Sequence, residues 1–381
     1  MSEPRNILPT LIYKLAIHFP PIRSVIAASL RNDPNLTPES MKYSLFLDFL
    51  CKVPRPPKRS LVFVIDAIDE CGNNRSRPGI LKVLTDAAAQ ASWLKIIITS
   101  RPEVDIQRFF DGPTQSSHLR YDLMTDQNAP ADLRTFARSQ FDLVASDWQL
   151  STPWSEESLL NRVTSQASGL FIFIKTIVLA LENCANPTRS LEATLRSSSG
   201  AGLKSLYGLY SSIIKSRAMD SNTAFRRMIG VILTTTAYHP LCDETIAALE
   251  EVEPSLVKKW VDDLSLLLYR GEGVNREIRV RHLSISDFFI SNYCHCDYQV
   301  NLGDANMQLG IACLKTMICG LCFNICKLED SRLPNANIHD LPSRIKQYIS
   351  DPLQFSLLVK PSLLYFRNWR FTRVGKLEGI L

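Results

Sequence analysis

The feature that most constrains this chain is a pair of apolar runs with a helical repeat between them. Leu61-Val62-Phe63-Val64-Ile65 is unbroken and rich in β-branched residues, the pattern of a parallel strand covered on both faces. Leu94 and Ile96-Ile97-Ile98 form the second run. Between the two, Pro78 opens a stretch in which Ile80, Leu81, Leu84 and Ala88 recur at helical spacing. Strand, helix and strand in close succession make a βαβ unit, whose crossover keeps the strands parallel and brings their carboxyl ends to one edge.

Both runs stop abruptly in polar chemistry. Asp66, Asp69 and Glu70 follow the first, and Thr99-Ser100-Arg101-Pro102 follows the second. Open α/β sheets bind ligands beyond the carboxyl ends of their strands, so Asp66, Glu70 and Arg101 are expected to face one crevice. The layout suits phosphoryl transfer. One carboxylate can hold Mg²⁺ through water, a second can orient an attacking water, and an arginine on the neighbouring strand can stabilise a γ-phosphate. The plainer reading is that acidic residues after a strand cap the next turn.

Taken together, VIDAIDECG and IIITSRPE resemble the Walker B and sensor-1 segments of NACHT-type STAND ATPases, in particular the fungal NLR-like proteins with a nephrocystin-like NACHT domain. The resemblance implies Asp66 as the Mg²⁺-side carboxylate, Asp69 and Glu70 as the catalytic acidic pair, and Arg101 as the sensor arginine. It also implies ATP or ADP with Mg²⁺ as cofactors. That family relies on a P-loop, G-x-x-x-x-G-K-S/T, whose backbone N–H groups and lysine supply most of the phosphate grip. The sequence contains no such motif. Its nearest imitation, Gly200-Ala201-Gly202-Leu203-Lys204-Ser205, follows polar residues instead of a buried strand and reads as a Ser/Gly linker. Met1 is therefore expected to fall inside the family's domain, just after the place of the P-loop strand, its helix and a second strand, leaving a gap between the Ile96 strand and a later strand at residues 119–123. Poor nucleotide binding and little hydrolysis follow as the expectation.

Most of the remaining sequence is patterned for helices. Residues 7–19, 22–30 and 38–51 precede the first strand, with an extended polar link over 54–59. After a short helix at 104–110 come helices at 131–141, 155–165 and 169–181. The text ASGLFIFIKTIV resembles the family's helical-domain sequence, which places Gly169 near the adenine; the proline of related proteins is Phe171 here. Residues 186–203 read as a linker with a short helix at 191–195. Helices at 225–235, 243–251 and 254–268 followed by a strand at 278–281 give a winged-helix pattern. His282-Leu283-Ser284-Ile285-Ser286-Asp287-Phe288-Phe289 then resembles the family's histidine segment, which implies that His282 touches the β-phosphate of ADP; a histidine that only satisfies a helix start is the alternative. Further helices are expected at 301–318 and 341–369, in a segment resembling the family's connector. The fold class is thus α/β followed by α: an incomplete P-loop NTPase parallel sheet with flanking helices (residues 1–125), a helical domain (126–200), a winged helix (201–300) and a helical connector (301–381).

Composition narrows the function class. Hydrophobic content of 45% and charge of 21% over 381 residues are globular values, and a net charge of +5 is too small for a dedicated nucleic-acid binder. The longest apolar stretch, residues 170–181, contains Lys175 and is too short to span a bilayer. A cytoplasmic protein with protein partners or self-association, no nucleic acid and no membrane is expected. Cys294 and Cys296 with Cys319 and Cys322 could be drawn as a zinc site. Cys319, Cys322 and Cys326 also fit one apolar helix face, the preferred reading. Three functions remain open: a NACHT-type regulatory switch, a non-catalytic interaction scaffold on the same remnant, and a winged-helix DNA binder. The last is weakest, because residues 254–268 carry only Lys258 and Lys259 against Asp262 and Asp263.

Overall fold

The computed structural model describes residues 4–18, 20–32, 61–72, 74–112, 118–123, 128–150, 156–216, 223–236, 239–272, 275–329, 335 and 338–358. The chain divides into two compact units, Met1–Asp122 and Leu123–Leu381. The expected helix at 38–51, the polar link at 54–59 and everything after residue 358 lie outside the described residues.

The first unit is built on the βαβ unit. Strand β1 (Leu61–Ile65) pairs in parallel with β2 (Leu94–Ile98), in the register Leu61↔Leu94 through Ile65↔Ile98. Helix α1 (Pro4–His18) and helix α2 (Pro20–Asn32) precede them, and helix α3 (Arg77–Gln90) connects them. Pro20-Pro21 starts α2 as well as stopping α1, since a first turn needs no proline N–H. Leu8, Ile12 and Leu15 of α1 and Ile80, Val83, Leu84 and Ala87 of α3 pack around Phe63 and Leu94. Helix α4 (Val104–Phe110) follows β2, and Ile106 joins Ile68, Cys71 and Leu81 in a second small cluster.

Two expectations for this unit fail. The strands are not covered on both faces: Val62, Val64 and Ile97 are exposed, Val64 at 66%, while Phe63 is buried. The apolar run records strand preference, and alternation in burial is set by helices lying on one face only among the described residues. Residues 119–123 form no strand, and Leu119, Tyr121 and Leu123 are all exposed. A strand needs a ladder partner, and the described sheet is β1 with β2 alone.

The second unit is helical around one continuous core. Helices α5 (Ala129–Asp147), α6 (Glu157–Ala167), α7 (Phe171–Glu182) and α8 (Pro187–Ser197) come first. Helix α7 is buried along Phe173, Ile174, Ile177, Val178 and Leu181, with Lys175 on its exposed side. Residues 186–203 are more ordered than the linker reading allowed. Asn186 caps α8, its side chain accepting the Arg189 N–H at 2.9 Å, and Leu191 and Leu195 are buried one turn apart. Helix α9 (Leu203–Ser216) follows.

Helices α10 (Thr223–Thr235), α11 (Asp243–Glu250) and α12 (Pro254–Asp263) lead into an antiparallel ribbon of β3 (Leu268–Arg270) and β4 (Ile278–Val280). Arg270 ties this group together, holding Asp243 through two 2.7 Å bonds and Asp262 at 2.5 Å. Helix α13 (Leu283–Ile290), α14 (Leu302–Gly320), α15 (Leu341–Tyr348) and α16 (Asp351–Leu358) complete the described chain. Gly230 lets α10 meet α14 closely: a Cβ there would stand 3.0 Å from that of Ala305. Because α14 ends at Gly320, Cys319, Cys322 and Cys326 do not share a helix face; Cys319 and Cys322 are exposed and Cys326 is buried. Among the described residues the paired cysteines 294/296 and 319/322 do not converge as ligands, and no helix is long and apolar enough to cross a membrane.

Candidate functional site

The carboxyl ends of β1 and β2 are joined by a short network. The β ladder continues one step past the strands, with the Thr99 N–H donating to the Ile65 carbonyl and the Ile68 N–H to the Thr99 carbonyl, both at 3.0 Å. Between them the chain leaves β1 through Ala67, in the left-handed conformation at φ 53°. A non-glycine residue held there costs on the order of 1 kcal/mol or more. The Thr99 hydroxyl answers that bend twice, accepting the Ala67 N–H at 2.8 Å and donating to the Asp66 carboxylate. Asp66 itself is exposed.

Asp69 is placed differently. A short 3-10 turn, Ile68–Glu70, folds it back so that one carboxylate oxygen accepts the Arg101 backbone N–H at 3.1 Å and the other lies 3.7 Å from the Arg101 Nε. Its side chain is 5% exposed. Ile68 and Cys71 anchor the turn in the small cluster beneath, and burial pushes the Cys71 thiol up from its ordinary pKa. Glu70 is half-buried at the end of the turn, its N–H donating to the Ala67 carbonyl at 3.0 Å. The structure thus brings Asp66, Asp69 and Arg101 to one edge, with Asp69 as the brace of Arg101 and Asp66 as the carboxylate facing solvent. Thr99, given no role from sequence, is the residue that connects the two strand ends; its place at the head of Thr99-Ser100-Arg101 was the available signal.

An exposed carboxylate beside a hydroxyl fits a hydrated Mg²⁺, which takes one or two protein carboxylates and keeps several waters. Among the described residues, the segment that most nearly imitates a phosphate loop does not supply the phosphate half of such a site. The Gly200–Ser205 segment follows helix α8, not a strand; the Gly202 N–H donates to the Gln166 carbonyl at 2.8 Å, and the buried Ser205 hydroxyl donates to the Ser198 carbonyl at 2.6 Å. Those donors hold helices together.

Gly169 and His282 lie in the second unit. Gly169 follows the C-cap of α6 with φ +87°, and a Cβ there would meet nothing within 4 Å, so backbone conformation rather than crowding calls for glycine. His282 is the N-cap of α13, its Nδ1 accepting the Ser284 N–H at 3.2 Å. The Ser284 hydroxyl stands 2.7 Å from that nitrogen and 2.9 Å from the buried Tyr210 hydroxyl. Burial pushes Tyr210 up to about 12, so its hydroxyl stays protonated. With Nδ1 accepting, the neutral imidazole carries its proton on Nε2. The helix-start role of His282 is therefore real, and sequence reading missed the Tyr210–Ser284 pair that supports it.

Comparison with known proteins agrees with the first unit. Residues 1–101 match the family model described as nephrocystin 3, N-terminal. The chain is also 26% identical over 156 residues to the vegetative incompatibility protein HET-E-1 of Podospora anserina. That match takes in 40% of this chain and 11% of the relative, so the chain corresponds to a small part of the relative's length. Both strands and their polar ends, from Leu61 to Arg101, lie inside the matched residues, so the likeness to the nephrocystin 3 N-terminal family is a likeness of the first unit.

Proposed function

We propose that the chain is the part of a NACHT-type regulatory module that carries the metal side and γ-phosphate side of a nucleotide site, followed by a helical domain, a winged helix formed by α10 to α12 with the β3–β4 ribbon, and a helical connector. The observation that carries this reading is the parallel pair of strands ending in an exposed Asp66 and an Asp69-braced Arg101 on one edge. Asp66 would hold Mg²⁺, and Arg101 and Glu70 would address the γ-phosphate and its water; in the second unit, taken by itself, His282 would offer Nε2–H to a phosphate oxygen, and Gly169 is the position that the resemblance assigns to adenine. Asp69 serves by positioning Arg101. The relative's name ties it to vegetative incompatibility, and a regulatory role in signalling through protein partners is the function proposed here.

Nucleotide alone is expected to bind this chain weakly. The α- and β-phosphates lack the N–H cradle and lysine of a P-loop, several charge-assisted bonds of about 1.5–3 kcal/mol each. Calorimetric titration of the chain with Mg-ATP and Mg-ADP is expected to show no saturation at micromolar concentrations. Micromolar, Mg²⁺-dependent binding abolished by Asp66→Asn would show that another segment grips the phosphates. A scaffold function without catalysis is favoured by one observation, the exposed apolar sheet face at Val62, Val64 and Ile97, which fits a protein surface better than a hydrated one.

A further inference from the structure

We infer that the turn between α13 and α14 is a zinc-binding site formed by His295, Cys296 and Asp297, independent of the nucleotide reading. The three side chains converge. Cys296 Sγ lies 3.8 Å from His295 Nδ1 and 3.7 Å from Asp297 Oδ1, and His295 Nδ1 lies 3.2 Å from Asp297 Oδ2. A tetrahedral zinc with its sulfur at about 2.3 Å and its nitrogen and oxygen at about 2.0 Å spaces sulfur from either about 3.5 Å, and nitrogen from oxygen about 3.3 Å. Sulfur approaches one carboxylate oxygen and nitrogen the other, and one donor atom from each residue lies within 4.8 Å of the other two, so a small inward turn of the side chains would close the set on zinc.

Two further features favour a cation over a hydrogen-bonded relay. A thiol–imidazole–carboxylate relay places the thiol and the carboxylate on opposite ring nitrogens, whereas here both crowd Nδ1. The Asp297 N–H also lies 3.4 Å from Nδ1, so thiol, carboxylate and amide all gather at that one ring nitrogen. Nδ1 and Asp297 Oδ2 stand 3.2 Å apart, a spacing that a cation held by both would accept. A thiolate with an imidazole selects zinc over the oxygen-seeking Mg²⁺ and Ca²⁺.

The turn is held ready for this. The Tyr298 and Gln299 N–H groups both donate to the His295 carbonyl at 2.9 Å, and the Val300 N–H to the Phe289 carbonyl at 2.8 Å. Cys294 and Val300 are buried on either side and belong to the main core. His295, Cys296 and Asp297 remain exposed, which leaves a fourth coordination position for water.

The test is titration of the reduced, metal-free full chain with Co²⁺, followed by Zn²⁺. One equivalent of Co²⁺ is expected to give a thiolate-to-cobalt charge-transfer band and the visible bands of a tetrahedral centre, both bleached by Zn²⁺. Cys296→Ser is expected to remove the charge-transfer band, and His295→Gln and Asp297→Asn each to weaken Co²⁺ binding at least tenfold. A Cys319→Ser/Cys322→Ser control is expected to leave the spectrum unchanged. The inference is overturned by the absence of a band in the full chain, by its survival in Cys296→Ser, or by its loss in the control. His295→Gln is a second route should Cys296→Ser fail to fold, since unaltered binding in that variant is equally fatal.

Discussion

Asp66 and Asp69 lie three positions apart and differ in everything except chemistry. Asp69 is nearly enclosed and holds the Arg101 N–H and guanidinium, while Asp66 is exposed and accepts one hydroxyl. Asp69→Ala removes the acceptor of the partly buried Arg101 N–H and the carboxylate beside its guanidinium, and is expected to cost about 1–3 kcal/mol of stability. Asp66→Ala is expected to change stability by less than about 1 kcal/mol, its effect falling on metal binding. Urea unfolding of the two variants checks this, and equal or inverted losses would show the roles to be misassigned. Sequence placed both carboxylates at the right strand end because an apolar run followed by acid is a local signal. It could not separate them, since Ala67 gives no sign in its chemistry that the chain turns left-handed there and carries Asp69 back onto the second strand.

Among elements, what was legible was whatever declares itself within a few residues. The βαβ unit and most helices are read from spacing, and α8 was underread because polar composition masked an Asn cap and a buried Leu191/Leu195 pair. What failed depended on neighbours: the cover over each sheet face, the strand at 119–123 and the supposed cysteine face. Long-range pairing was invisible for the same reason, as between α10 and α11. There Arg227 Nε meets Glu250 Oε2 at 2.6 Å and its Nη2 donates to the Glu250 carbonyl at 3.1 Å; the Glu250 side chain is 5% exposed and that of Arg227 43%. Burial pushes the Glu250 carboxyl up in pKa, against the pull of Arg227. Removing Arg227 leaves the upward cause alone. Arg227→Ala is expected to cost about 2–3 kcal/mol at neutral pH, below the ~3–5 of a fully enclosed pair, and Glu250→Gln distinctly less, because the exposed arginine can be hydrated. A group with a raised folded pKa binds its proton more tightly folded than unfolded, so its contribution is present at low pH and lost as pH rises through the folded value. The Arg227→Ala deficit should therefore shrink on acidification from neutrality. Thermal unfolding of both variants across that range is the measurement, and a deficit that grows toward low pH would contradict the assignment.

At the scale of the whole molecule the two units differ in how much core each owns. Every member of the main core comes from the second unit, running from Leu133 on α5 to Phe355 on α16, and includes fully enclosed Phe141, Phe173, Tyr210, Phe225, Phe288 and Phe289. Among the described residues the first unit has two small clusters and a two-stranded sheet with Val62, Val64 and Ile97 exposed on its other face. A sheet of two strands contributes little cooperative stability without cover. A unit with its own continuous core is able to fold alone. Residues 123–381 expressed separately are therefore expected to keep a native near-ultraviolet circular dichroism spectrum and to unfold in one cooperative urea transition. Residues 1–122 expressed separately are expected to show a lower midpoint and a shallower slope, because less surface becomes exposed on unfolding. If the larger piece instead lost its aromatic signal while keeping helix content, its core would depend on the first unit, and the four-part organisation proposed for this chain would have to be redrawn around a shared one.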